Sequence, residues 1–289
     1  MSDHQPPDDA SEPTLRCSRC EREIPVGEAI EAPVGYQCRD CAKGAVPARR
    51  LRDLYVRPVL TYGLLAVIGV VFLLTELDTD NVIRNSFALR TTEVGFGAWW
   101  LLVTSAFLHA NLMHVAFNGI LLWRLGEMLE SVLGSGRFAA LYVAGLAGGS
   151  LGVVITGWLF TTPLGGVPVL GAVLTVDPRI PTVGASGAVF ALMGAAIGGM
   201  RERGINPWRT DIGGLVLLNL VITFVVPGIS VGGHVGGLLA GMGVGRLLFV
   251  ERGRARRAML IVAAIALVLF GLAWWLAELT LTRFIAMFA

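Results

Sequence analysis

The sequence predicts an all-α, polytopic membrane protein carrying a small zinc-binding-like segment at its N-terminus. Three observations carry that prediction. Apolar residues make up 54% of the 289-residue chain and charged residues 15%, against roughly 45–50% and about 25% in soluble domains; mean hydropathy is +0.68. Apolar segments recur between residues 58 and 277, with lengths near the roughly 20 residues that cross about 30 Å of hydrocarbon. All four cysteines lie between positions 17 and 41. The formal net charge of +2 is too small to argue for a nucleic-acid partner.

Residues 1–14 are rich in Asp, Pro and Ser and read as a disordered tail. Residues 1–50 contain no apolar central region, so a cleavable signal peptide is not expected. The cysteine-rich segment, 15–45, reads Cys17-x2-Cys20, then 17 residues, then Cys38-x2-Cys41. Each pair presents two sulfurs to one ion, the spacing of tetrahedral zinc coordination. Two disulfides are the competing reading and would need an oxidising compartment. A site closed by four cysteines leaves no open coordination position, so its role is structural or adaptor-like. A basic linker over 46–57, with Arg49, Arg50, Arg52 and Arg57, leads into the first span.

Seven spans are expected, at about 58–77, 99–123, 138–160, 186–200, 212–228, 232–250 and 258–277. Basic residues set their orientation. The linker, Arg201/Arg203/Arg209 and Arg252/Arg254/Arg256/Arg257 fall on one side if the N-terminus is cytoplasmic. The loop between spans 2 and 3, with Glu127, Glu130 and Arg137, then lies on that side too, and both glutamates read as structural. A cytoplasmic N-terminus favours zinc over disulfides at the cysteines. It also places the entrances of spans 2, 4 and 6 externally, bringing His109, Ser186 and His234 to one membrane half.

Four histidines occur: His4 in the tail, and His109, His114 and His234 in expected spans. Ionisable residues inside spans are costly and line interiors or pathways. A lone histidine would more simply hydrogen-bond a neighbouring helix; three at one depth beside a serine point to a site. Gly187, Ala191, Ala195 and Gly199 recur every four residues on span 4, as Gly233, Gly237, Gly241 and Gly245 do on span 6. Such ladders let membrane helices approach closely. Packed together, they bring Ser186 and His234 within reach.

A serine hydroxyl is a weak nucleophile until an adjacent base takes its proton, and histidine is suited to that task. The developing oxyanion needs donors. The unpaired N–H groups at the start of span 4 are candidates, as are His114 and Asn118, which share one helix face. His109 fits that face poorly and is assigned to the outer loop. No carboxylate lies at this depth, so a Ser–His dyad is expected in place of a triad.

These strings resemble the rhomboid family of intramembrane serine proteases. The resemblance rests on His109-Ala-Asn-Leu-Met-His114-Val-Ala-Phe-Asn118, on Gly184-Ala-Ser186-Gly187, and on His234-Val-Gly-Gly237 followed by Gly241. It covers about 58–250 and implies a six-helix catalytic core there. It implies Ser186 as nucleophile and His234 as general base, with His114, Asn118 and the Ser186 N–H around the oxyanion. Substrates would be single-span membrane proteins cut near the external face of a bacterial plasma membrane, with no cofactor for cleavage. The span at 258–277 is then a seventh helix outside the core. Where many members carry Trp-Arg, this chain has Trp100-Leu101, which leaves the polar anchoring of the first external loop in question. The cysteine-rich head is an addition whose partner would be cytoplasmic. Two other functions compete: a catalytically silent relative that binds membrane clients, and a transporter with discontinuous helices, for which no internal repeat is apparent.

Overall fold

A computed structural model describes residues 13–32, 35–43, 57–168, 170–249 and 254–289. Residues 1–12 of the expected tail, His4, Arg252 and nearly all of the 46–57 linker lie outside them. The chain divides into two compact units, residues 1–55 and 56–289.

In the first unit, β1 (Thr14–Arg16) pairs antiparallel with β2 (Glu23–Pro25), setting Leu15 opposite Ile24. A second ladder joins β3 (Ile30–Glu31) to β4 (Tyr36–Gln37), and α1 (Arg39–Lys43) follows. Among the described residues its buried centre is small: Cys17, Ile24 and Cys38. So few apolar residues cannot supply a self-sufficient core, and domains of this size ordinarily need a staple.

The second unit is helical. Its long helices among the described residues are α2 (Val59–Leu77), α6 (Leu112–Leu133), α7 (Ser135–Phe160), α9 (Ser186–Glu202), α10 (Asp211–Val225), α11 (Val231–Leu248) and α12 (Ala255–Ala286). Between them lie short helices α3 (Val82–Phe87), α4 (Thr91–Gly95), α5 (Leu101–Thr104) and α8 (Leu170–Leu174). By length and composition α2, α7 and α12 can each cross a membrane. The segment Leu101–Phe107 with α6 makes a fourth crossing if its 94° bend is counted within one span.

That bend revises the expected second span, 99–123. Leu101–Phe107 is a separate piece, and α6 starts afresh at Leu112, where the Asn111 side chain accepts from His114 N–H and caps the helix. At its far end α6 continues to Leu133, so Glu127 and Glu130 are helical; the connection to α7 is Gly134 alone, at φ +80°. Only glycine takes that conformation without strain.

Glu130 is fully buried. Its carboxylate accepts from Leu60 N–H (2.9 Å), Thr61 N–H (2.8 Å), the Thr61 hydroxyl (2.7 Å) and the Ser135 hydroxyl (2.6 Å). One side chain thus satisfies the open N-terminus of α2 and ties it to the α6–α7 junction. Glu130→Ala strands these donors, and the expected cost is about 3 kcal/mol or more. A thermal unfolding midpoint in detergent unchanged from wild type would refute the clamp.

Helix α9 lies at the centre, with every residue from Ala188 to Gly199 buried. The expected ladders do meet. A Cβ at Gly237 would fall 3.0 Å from the Gly187 Cα and closer still to its carbonyl oxygen, and one at Gly245 would fall 2.8 Å from the Ala195 Cα. Helix α7 forms a third wall: a Cβ at Gly149 would come within 2.9 Å of the Gly187 Cα, and one at Gly148 within 2.8 Å of the Gly236 carbonyl. Three backbones touch with almost no side chains between them, the small-residue packing that membrane helices favour.

Leu101 is buried, in a cluster with Leu89, Val94, Leu102, Ala273 and Ala277. The first loop therefore packs apolar side chains against α12, and a polar tie holds it as well: the Ser150 hydroxyl donates to the Leu102 carbonyl at 2.6 Å.

Candidate active site

The backbone from 89 to 105 holds the segment that leads into α9. Leu89 and Thr182 exchange two backbone hydrogen bonds, of 3.0 and 2.8 Å, and Gly184 N–H donates to the Ser105 carbonyl at 2.9 Å. Gly184 sits at φ +129°, and a Cβ there would meet the His114 ring at 2.8 Å. The chain can therefore run against the imidazole only as glycine. Ser186 follows as the first residue of α9, where the N–H groups have no intrahelical partners.

Ser186, His114, Asn118, Asn219 and His234 all line one cavity of about 970 Å3. The wall also includes Asp177, whose carboxyl is held below the usual range by the Arg179 guanidinium at 2.6 Å. His114 Nδ1 accepts from Ala110 N–H at 3.4 Å, which leaves Nε2 to carry the proton and face Gly184 as a donor. Asn118 spends one amide hydrogen on the His114 carbonyl at 3.0 Å. The other is available to the cavity.

His234 lies one turn into α11. Its ring stacks on Phe190, with centroids 4.1 Å apart and planes at 21°. Phe190 is four residues beyond Ser186 on α9, so the imidazole rests on the same helix face as the serine. Its Nδ1 is 2.7 Å from the Thr223 hydroxyl on α10. Among the described residues Ser186 Oγ makes no hydrogen bond to His234; unliganded catalytic pairs are commonly longer than their working distance.

The structure thus brings Ser186, His114, Asn118 and His234 to one cavity. His109 belongs with them more closely than its spacing implied. Because the bend places it before α6 and off that helix, it is fully buried and its ring meets His114 edge-on at 5.0 Å. Gly187, Gly237 and Gly241 set the helix spacing. Sequence reasoning missed Phe190 and Thr223. The only signal for the latter was a polar pair, Asn219 and Thr223, four apart in an otherwise apolar segment.

This geometry agrees with the comparisons to known proteins. The family model for the Rhomboid domain matches residues 97–251, more than half of the chain. The chain belongs to the rhomboid family. It is 30% identical over 192 residues to rhomboid protease GluP of Bacillus subtilis, covering 64% of this chain and 34% of that protein. It is 31% identical over 191 residues to rhomboid protease GlpG of Serratia proteamaculans, 63% of this chain and 60% of that one. Putative rhomboid protease YdcA of Bacillus subtilis is 32% identical over 139 residues, 47% and 60% respectively. The chain thus spans from a third to three-fifths of the length of these curated relatives. Family and apolar helices together make this rhomboid an integral membrane protein.

The cysteines form a second site within the first unit. All four are free, their sulfurs lie within 4.8 Å of one another, and the Cys20 and Cys38 Sγ atoms are 3.8 Å apart. Zinc–sulfur bonds of about 2.3 Å in a tetrahedron put sulfurs about 3.8 Å apart. Backbone N–H groups of Cys38, Arg19 and Cys20 aim at Cys17 and hold its thiol down to about 6, while the Cys38 and Cys20 sulfurs push Cys41 up to about 12, so Cys17 is the first of the crowded thiols to become a thiolate.

Proposed function

We propose that this rhomboid is an intramembrane serine endopeptidase that cuts single-span membrane proteins near the external membrane face through a Ser186–His234 dyad. The observation that carries the reading is that Ser186 and His234 stand on two helices locked backbone to backbone and line one cavity whose wall is otherwise largely apolar. His234 takes the Ser186 proton as Oγ attacks the scissile carbonyl. The oxyanion is met by the Ser186 N–H at the positive end of α9, by His114 Nε2–H and by the free amide hydrogen of Asn118. The family's chemistry requires no cofactor.

Initial cleavage rates of a single-span substrate in proteoliposomes, for wild type beside Ser186→Ala, test the reading. Cleavage by wild type alone supports it; cleavage surviving in the variant removes Ser186 from the chemistry. No cleavage by wild type across several helix-destabilised substrates shifts the reading to a client-binding relative. Basic residues support a cytoplasmic N-terminus in a bacterial plasma membrane, which protease accessibility of the head in oriented vesicles would check.

For the head, Cys17, Cys20, Cys38 and Cys41 would hold one zinc ion and use it structurally, in a segment that docks a cytoplasmic partner. About one zinc per chain is expected, and its removal by a chelator unfolds the head, because metal binding and folding are one equilibrium in sites of this size. Elemental analysis and amide exchange over residues 13–43 decide it. Metal-free protein with protected amides would overturn it.

A further inference from the structure

We propose that Thr223 is a positioning residue for His234, holding the imidazole in the tautomer whose Nε2 is free to receive the Ser186 proton; the inference rests on the serine-protease reading above. Two hydrogen bonds of equal length carry it. The Thr223 hydroxyl lies 2.7 Å from the Asn219 carbonyl oxygen and 2.7 Å from His234 Nδ1. A hydroxyl has one proton to give. A carbonyl oxygen can only accept, so that proton goes to Asn219. The remaining Thr223 lone pair then faces Nδ1, and a contact this short bonds only if Nδ1 carries hydrogen. Nε2 is left bare.

The reverse assignment would set the Asn219 carbonyl lone pair against the hydroxyl lone pair at 2.7 Å, inside a buried site that does little to screen the repulsion. The Asn219 side-chain amide donates to the Leu215 carbonyl at 2.8 Å and, among the described residues, makes no hydrogen bond to the threonine. Thr223 itself is 2% exposed, so water cannot substitute for it. Phe190 fixes the plane of the ring and Thr223 fixes its edge.

The threonine keeps its proton through the reaction. As Ser186 Oγ bonds to the scissile carbon, its proton passes to Nε2 and the carbonyl π pair moves to oxygen. The imidazolium then donates Nδ1–H to Thr223 as a charge-assisted bond, stronger than the neutral one. When the C–N bond breaks, the Nε2 proton leaves with the amine. In triads a carboxylate performs this orienting task; here a neutral hydroxyl anchored on a helix carbonyl performs it. His114 and Asp177 are the titratable groups that share the cavity with His234. Arg137, Arg201, Glu202, Asp211 and Arg246 sit at the far ends of α7, α9, α10 and α11.

The test uses the full chain in proteoliposomes with Thr223→Val, which keeps the shape, and Thr223→Ser, which keeps the hydroxyl. Thr223→Val is expected to lower kcat about tenfold, the worth of one buried hydrogen bond, with KM unchanged; Thr223→Ser should stay within about twofold. Nitrogen NMR of 15N-histidine in a Ser186→Ala background reads the tautomer without any turnover. The expected spectrum has His234 protonated at Nδ1 with threonine or serine at 223, and a mixture of tautomers with valine. Full activity in Thr223→Val, equal losses in the valine and serine variants, or an Nε2-protonated His234 beside threonine would each overturn the proposal. Absence of wild-type cleavage would sink the protease reading instead, and the nitrogen signals would still decide the tautomer.

Discussion

Ser186→Ala is expected to lower the cleavage rate by about 10^3-fold or more, His234→Ala by a similar factor, and the double variant no further. In the proposed dyad the two side chains perform one act, the transfer of a proton during attack, so removing either removes all of it. On that proposal, what survives comes from substrate positioning and from the oxyanion donors that both substitutions leave in place: His114, Asn118 and the backbone N–H of residue 186. Initial rates on one single-span substrate for the four proteins of the cycle measure this directly. If the losses multiply instead, Ser186 and His234 act independently, and the dyad is wrong even if each residue matters. His114→Ala should behave differently, adding its loss to that of either dyad member, because it would act on the oxyanion and not on the proton.

Gly237→Val is expected to cost about 3 kcal/mol of stability, the upper end for overpacking, and about a hundredfold in rate. Its Cβ would meet the Gly187 carbonyl carbon at 2.7 Å and Cα at 3.0 Å, and these atoms are backbone, with no rotamer to escape into. Helix α11 must therefore move away from α9, and it carries His234 with it. Gly243→Ala on the same helix is the control, because nothing lies within 4 Å of the added carbon; it should leave both stability and rate near wild type. Thermal midpoints in detergent and cleavage rates together check the pair. A Gly237→Val protein as stable as wild type would mean that the α9–α11 contact is looser than described.

The site was legible in the sequence where its chemistry is scarce. Histidines are few in this chain, and those in apolar segments stand out against lipid-compatible surroundings. The glycine ladders of α9 and α11 were readable because their period of four stays on one helix face. The α7 wall was not, since Gly145, Gly148, Gly149 and Gly152 alternate spacings and serve two neighbours at once. The bend before α6 was hidden in unbroken apolar composition, although Asn111 ahead of Leu112 is a helix-start signal. Gly134 likewise marks the end of α6 in the way helix-terminating glycines do. Thr223 had no sequence signature of its own, for a threonine in an apolar helix ordinarily bonds its own backbone, and its second partner comes from a different helix.

The enclosure of α9 bears on the order in which the core can be assembled. At 17 residues it is about 26 Å long, and glycine and alanine give it little apolar surface with which to hold its place among lipids. Its hold comes from neighbours, and one of them, α11, is synthesised only after it. A growing chain that has already made Ser186 therefore has neither His234 nor a settled home for the serine. The helix that carries His234 also closes the packing around α9, so on the proposed dyad the completion of the core and the onset of cleavage coincide.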